Sequence, residues 1–258
     1  MIAVLLCAGY ATRMYPLTAD FPKPLLPVAG KPVIDYLVEQ IIDLPEVTRI
    51  HVVTNAKFIE HFNAWQVKWR SAMASKKIAI DIHNDGSTDN ANRLGAAADL
   101  QFVFKQIAEP SKVLVSGGDN IFRFGIAPLW RDFRIGQRHY VMALPETNAN
   151  QLMKTGVLAL GKENRVLRLH EKPKHPVSRW ICPPLYFLQP TAWPRLDEFL
   201  RTSKSADAPG YFIDFLSRKE SVHAFKLNAS RLDIGSIDSY REAQEALIKQ
   251  SCNDLLKK

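Results

Sequence analysis

The residues best suited to chemistry stand just past the first apolar run. After IAVLLC come Ala8, Gly9, Thr12, Arg13 and Lys23, in the stretch AGYATRMYPLTADFPKPLLPV. A glycine lets backbone N–H groups approach a phosphate with no Cβ in the way. Arginine offers a planar fork of donors for phosphate oxygens, and lysine a compact positive charge. Pro22 and Pro24 flank Lys23 and restrict its backbone, which lowers the entropy of holding it in place. Each of these residues alone could belong to an ordinary surface loop. Their placement directly after a buried strand points to a phosphate-bearing ligand, because open α/β sheets bind ligands beyond the C-terminal ends of their strands. Two familiar phosphate motifs are absent. No stretch reads GxxxxGK[ST], and the dinucleotide pattern GxGxxG would fall on Gly9, Ala11 and Met14, one match in three.

Alternating elements must position such a loop. Ile2–Cys7 reads as a fully buried strand ended by Gly9, and Ile34, Leu37, Val38, Ile41 and Ile42 follow a helical period that stops at Pro45. A strand at 50–54 comes next, then a helix whose apolar stripe is Phe58, Phe62, Trp65, Trp69 and Met73, read as core packing. Strands at 78–82, 112–116 and 140–144 alternate with a helix at 94–106. This order predicts an α/β fold with a mostly parallel sheet covered by helices. Beyond residue 150, strands at 155–160 and 166–170 lie close together, as antiparallel pairs do. Helices at 192–201 and 211–217, two short strands and a last helix from Ile237 follow, the last with Ile237, Tyr240, Leu247 and Ile248 on one face. No linker divides the chain. One domain is expected from 1 to 258, with a nucleotide-binding half (1–150) and an acceptor-binding half (151–250).

Composition narrows the partners. Thirty-four Lys and Arg against 26 Asp and Glu give a net charge of +8, which suits anionic ligands. The basic residues are dispersed and no nucleic-acid-binding pattern stands out, so nucleic acid is not expected. Three distant cysteines, without a CxxC pair, argue against disulfides and structural zinc and fit a cytoplasmic protein; Cys7 reads as a small buried hydrophobe. No run is long enough to cross a membrane, and the N-terminus lacks the basic region of a signal peptide. Only the tail at Lys257 and Lys258 reads as unstructured. Scattered aromatic residues are compatible with a homo-oligomer, and no hexapeptide repeat follows the last helix.

The stretch AGYATRMYPLTADFPKPLLPVAGKPVIDY resembles the signature of the sugar-1-phosphate nucleotidyltransferases, such as the glucose-1-phosphate thymidylyltransferases: a glycine-threonine-arginine loop, then Pro-Leu-Thr, Pro-Lys-Pro and Gly-Lys-Pro, with the spacing kept. Ala11 replaces the usual second glycine, and alanine fits there if its φ is negative. Three later stretches agree in order: VLVSGGDNIF, GVLALGKENRVLRLHEKP and LDIGSIDSYREA. In the last, Ser236 replaces the usual Thr, and Arg231 and Leu232 replace an approach that is commonly aromatic. The resemblance implies a Rossmann-like, three-layer fold with helices on both faces of a mixed, mostly parallel sheet. It implies a nucleoside triphosphate and a sugar 1-phosphate as substrates and Mg²⁺ as the cofactor, held by Asp119 and Asp233. It assigns Arg13, Lys23 and Lys172 to catalysis, with Ala8, Gly9 and Thr12 beside the nucleotide. Gly156 and Glu171 would meet the sugar and Lys172 its phosphate. The base would lie against NDGSTDNANRLGA, where Gly86 and Gly95 allow close backbone approach.

Such chemistry needs no general base, because the acceptor phosphate is already ionised. Repulsion between two polyanions is the obstacle, so positioning and charge neutralisation should carry the catalysis. His170, beside Glu171, is then read as a packed or surface residue and Tyr186 as core. Taken residue by residue, Asp119 and Asp233 could instead be turn aspartates, and Glu171 with Lys172 a solvated pair. Two other functions share these features. One is cytidylyl transfer to phosphocholine or a similar alcohol phosphate; the other is a non-catalytic protein that binds nucleotide-sugars.

Overall fold

Strand β1 (Ile2–Leu6) is apolar at every position and buried along nearly its whole length, as a parallel strand covered on both faces must be. The computed structural model describes residues 1–203 and 207–255, with side chains to residue 250; Lys257 and Lys258 lie outside the described residues. After β1 come two short strands, β2 (Pro27–Val28) and β3 (Lys31–Pro32), then α1 (Asp35–Ile41), β4 (Arg49–Thr54), α2 (Ile59–Lys76), β5 (Ala79–Asn84) and α3 (Ala96–Lys105). The middle of the chain forms β6 (Val113–Gly117), β7 (Asn120–Phe122), α4 (Ala127–Ile135), β8 (His139–Pro145), α5 (Ala149–Leu152), β9 (Gly156–Leu160) and β10 (Val166–Glu171). It closes with β11 (Trp180–Ile181), β12 (Leu185–Leu188), α6 (Ala192–Thr202), α7 (Pro209–Lys219), β13 (Val222–Lys226), β14 (Arg231–Asp233) and α8 (Ile237–Leu255).

Ten strands form one mixed sheet in the order β10-β9-β11-β8-β12-β6-β1-β4-β5, with β13 paired to β8. Its β6-β1-β4-β5 side is wholly parallel. The C-terminal ends of these four strands therefore emerge on one edge, which carries the opening loop, Asn55, the 85–95 loop and Gly117–Asp119. The second half adds antiparallel pairs, β9 with β10 among them, as their close spacing predicts.

Helices cover both faces and make three layers. On one side Leu37, Phe58, Phe62, Trp65, Trp130 and Phe133 pack against Leu5, Val52 and Leu114. The stripe on α2 is core, and Trp65 and Trp69 also donate their indole N–H groups to Asp35 Oδ1 at 2.7 and 3.1 Å. On the other side Leu100, Val103, Trp193, Phe199 and Phe212 pack against Val4, Val53 and Val115. Tyr186 and Cys7 are buried, as expected.

A third, small core seats the opening loop. Met14, Leu26, Val28 and Val33 pack with Ile121, Ile234, Ala243 and Leu247. Helix α8 adds hydrogen bonds: Tyr240 Oη and Gln244 Nε2 donate to Pro27 O at 2.7 and 2.8 Å, and Ala29 N donates to Gln244 Oε1 at 2.7 Å. The buried face of α8 is thus Tyr240, Ala243, Gln244 and Leu247. Ile248, expected on that face, is 52% exposed. It stands one residue past Leu247, about 100° further around the helix.

Candidate active site

The opening loop makes one 3₁₀ turn at Thr12–Met14. Met14 is sunk in the third core, which leaves Arg13 turned outward and exposed. Ala11 precedes the turn at φ 48°, ψ 39°. The negative φ under which alanine would fit without strain is therefore not what the loop adopts. The left-handed conformation that glycine usually supplies is kept, with a Cβ in it, and Ala11 O accepts from Met14 N and Thr18 Oγ1, both at 2.9 Å.

Lys23 opens a second 3₁₀ turn, Lys23–Leu25, between its two prolines. Its Nζ lies 2.5 Å from Asp119 Oδ2, and the two side chains are only 15% and 30% exposed. Asp119 follows Gly117 and Gly118 at the end of β6. A Cβ on Gly118 would stand 2.5 Å from Cys7 Sγ and 3.0 Å from Pro24 Cβ, so only glycine lets this strand end approach the lysine loop so closely. Burial would push the Asp119 carboxyl up. The Lys23 ammonium, with help from Arg231 and the Asn120 amide, outweighs it and holds the group below the usual carboxylate range.

The ribbon of β7 and β14 brings the second aspartate to the first. Asp233 pairs with Asn120, the neighbour of Asp119, and Ile234 N donates to Asp119 O at 3.1 Å. Arg231 Nη1 reaches Asp233 Oδ1 at 3.3 Å and also donates to Asn120 Oδ1. Two carboxylates 114 positions apart in sequence (233 − 119) thus share one corner. Their hard oxygen donors suit a divalent cation that also takes phosphate oxygens.

Two clefts open at this corner. The first, about 380 Å³, is bordered by Ala8, Gly9, Lys23, Gly95, Asp99 and Asp119. Its rim is tied by Arg93, which pairs with Asp207 across 3.0 Å. The second, about 400 Å³, is bordered by Arg13, Thr155, Arg231, Asp233 and Ser236. Lys172 borders both. It is exposed, its φ is 46°, and its backbone N–H is fixed on Thr155 O at 3.1 Å. A lysine held left-handed stores strain of a kind that tends to sit at functional sites.

Four of the expected residues border neither cleft: Thr12, Gly86, Gly156 and Glu171. Gly156 lies behind the second cleft, opposite Glu171 in the β9–β10 register. The Glu171 carboxyl turns onto the start of α7, where a Cβ on Gly210 would collide with its Oε1. Burial pushes this carboxyl up, while Lys172 and the Gly210 N–H oppose the rise.

Arg93, Asp99, Arg231 and Gly118 were not foreseen as parts of the site. The double glycine before Asp119 could have flagged Gly118. Nothing local marks Asp99, whose carboxyl is pushed up to about 8 by burial and then by the nearby Asp85.

A family model for nucleotidyl transferases matches residues 2–250. The chain belongs to the nucleotidyl transferase family. Among its members, the bifunctional protein GlmU of Methanocaldococcus jannaschii is 26% identical over 258 residues, covering 99% of this chain and 56% of that protein. The chain spans about half the length of the GlmU relatives it matches. The UTP–glucose-1-phosphate uridylyltransferase AglF of Haloferax volcanii is 24% identical over 254 residues, 97% of this chain and 98% of the relative. A solved UDP-glucose pyrophosphorylase, complexed with UDP-glucose, shares the fold with a TM-score of 0.80 at 20% identity, over 96% of this chain and 98% of that one. The layered architecture expected from the resemblance is the architecture found. Among the described residues of this family member, no helix is long and apolar enough to cross a membrane.

Proposed function

We propose that the protein transfers the nucleotidyl group of a nucleoside triphosphate to a sugar 1-phosphate, giving a nucleotide-sugar and pyrophosphate. The observation that carries this reading is Lys172, one ammonium bordering both clefts. A phosphate held between the clefts would meet it from either side.

In this reading the nucleotide occupies the first cleft, with its base toward Gly95 and the 84–96 stretch and its phosphates at Gly9 and Lys23. The acceptor lies in the second cleft, with its phosphate on Lys172. An acceptor phosphate oxygen attacks the α-phosphorus. The new O–P bond forms as the bond from the α-phosphorus to the bridging oxygen breaks, and that electron pair leaves with pyrophosphate. No proton moves, so no base is required. Lys23 stabilises charge near the α-phosphate and the leaving group, and Arg13, on the second cleft, would grip the outer phosphates where they extend past the first cleft to that side. Asp119 and Asp233 would hold Mg²⁺, which when bound supplies positive charge to the phosphates. Glu171, tied to Gly210, acts behind the sugar position rather than from the open cleft. Among the described residues, none bordering the second cleft is aromatic, which speaks against an aromatic cage for a quaternary ammonium, while Glu146, Asp233 and Glu242 leave the separation of sugar from amino-alcohol to the assay.

A pyrophosphate-release screen tests the assignment. It crosses the common nucleoside triphosphates with a set of sugar 1-phosphates and phosphocholine, with and without Mg²⁺. Release that needs both a sugar 1-phosphate and the cation is the expected result. Release with phosphocholine alone, or nucleotide-sugar binding without any release, would overturn it.

A further inference from the structure

At the edge of the sheet, outside both clefts, three metal-ligating side chains converge. Strands β4 and β5 are parallel neighbours, and their register sets His51 opposite Asp81. Successive side chains of a strand alternate between faces, so Asp81 and His83 share a face, and it is the face of His51. The side chains meet there: His51 Nδ1 is 2.9 Å from His83 Nε2 and 3.6 Å from Asp81 Oδ2. One ligand atom from each of the three lies within 4.8 Å of the others.

We propose that His51, Asp81 and His83 form a binding site for a zinc-class divalent cation. Tetrahedral bonds of about 2.0–2.1 Å set neighbouring ligand atoms about 3.3 Å apart. The two separations from His51 Nδ1 bracket that spacing, and the third pair lies within 4.8 Å, so modest movements would admit an ion. Two imidazole nitrogens and one carboxylate oxygen suit zinc, and all-oxygen cations such as Mg²⁺ far less. The position in the fold leaves room for a fourth ligand. β5 ends the sheet order, and Asp81 and His83 are partly exposed, so a fourth ligand can come from water. His51 is buried, and its Nε2 has no partner among the described residues. Nδ1 is the atom aimed at the cluster. Arg49 Nη1 holds Asp81 Oδ2 at 2.6 Å, so an ion would share that oxygen with the guanidinium or take Oδ1. His83 is further framed by Phe102 of α3, edge-on with ring centroids 6.4 Å apart. A bound ion would pin the edge strand to its neighbour just before the 85–95 loop.

The test is equilibrium dialysis of the metal-stripped protein against Zn²⁺ with Mg²⁺ in excess. It is run on the parent, His83→Ala and Asp119→Asn, with circular dichroism to show that each variant is folded. The parent and Asp119→Asn should each retain one tight zinc, and His83→Ala should lose affinity by about 100-fold or more, at least the cost of removing an outer partner. Co²⁺ bound at the parent site should give the intense visible bands of a four-coordinate ion, absent in His83→Ala. His83→Ala should keep Mg²⁺-dependent pyrophosphate release. Equal zinc binding by the parent and His83→Ala, or loss of the tight zinc in Asp119→Asn alone, would overturn the proposal.

Discussion

Replacing Gly118 with alanine tests how the Lys23–Asp119 corner of the proposed active site is assembled, without touching a charged group. The added Cβ would stand 2.5 Å from Cys7 Sγ and 3.0 and 3.1 Å from Pro24 Cβ and Cγ. Ordinary contacts of this kind begin near 3.5–4.0 Å, so the strand end and the lysine loop must part by about 1 Å. Neither neighbour can swing aside, because Cys7 is buried in the core and Pro24 is rigid. Overpacking of this type costs about 1–3 kcal/mol of stability. The kinetic cost is larger in proportion: Lys23 and Asp119, now 2.5 Å apart, would be displaced, and a 1 Å misplacement costs about 100-fold in rate. Pyrophosphate release at saturating substrates gives kcat, and thermal unfolding gives the stability change. Cys7→Ala removes the worst contact, so the Cys7→Ala/Gly118→Ala double variant should regain part of both losses, the Pro24 contacts remaining. A Gly118→Ala enzyme with the parent's turnover, or a double variant no better than the single, would refute this account of the corner.

Three further outcomes follow from the same geometry. Lys23→Ala should lower kcat by about 10²–10³-fold, comparable to losing one transition-state donor, and burial would then raise the Asp119 carboxyl, so activity should fail at higher pH on the acid side of the pH–rate profile. Ala11→Gly should raise the melting temperature slightly in calorimetry, because left-handed strain of about 1–2 kcal/mol exceeds the roughly 0.5–1 kcal/mol that glycine loses in entropy. Asp99 binds its proton more tightly folded than unfolded, at about 8 against an ordinary 3.8, so its contribution is complete at low pH and is lost as pH rises towards 8. Asp99→Asn should therefore raise the melting temperature more at pH 9 than at pH 4; an equal shift at both would refute that role.

The local order of this protein was readable from its sequence, because apolar periodicity is a property of neighbours. The buried run of β1, the aromatic stripe of α2 and the paired strands β9 and β10 follow from residues within one window. The turn at Lys23 was readable too, since a lysine flanked by prolines carries much of its backbone geometry with it. The exposure of Ile248 and the left-handed backbone of Ala11 were decided elsewhere, by how the opening loop and α8 pack on each other. The same holds for the chemistry between distant segments. Asp119 and Asp233 come to neighbouring positions only because β14 pairs with β7, and the Asp99 carboxyl is pushed up only because folding buries it near Asp85. Sequence sets which groups a chain can offer and how adjacent ones are held; distance, burial and counter-charge between remote residues come into being only when the sheet closes and water is excluded, and those quantities decide what the groups can do.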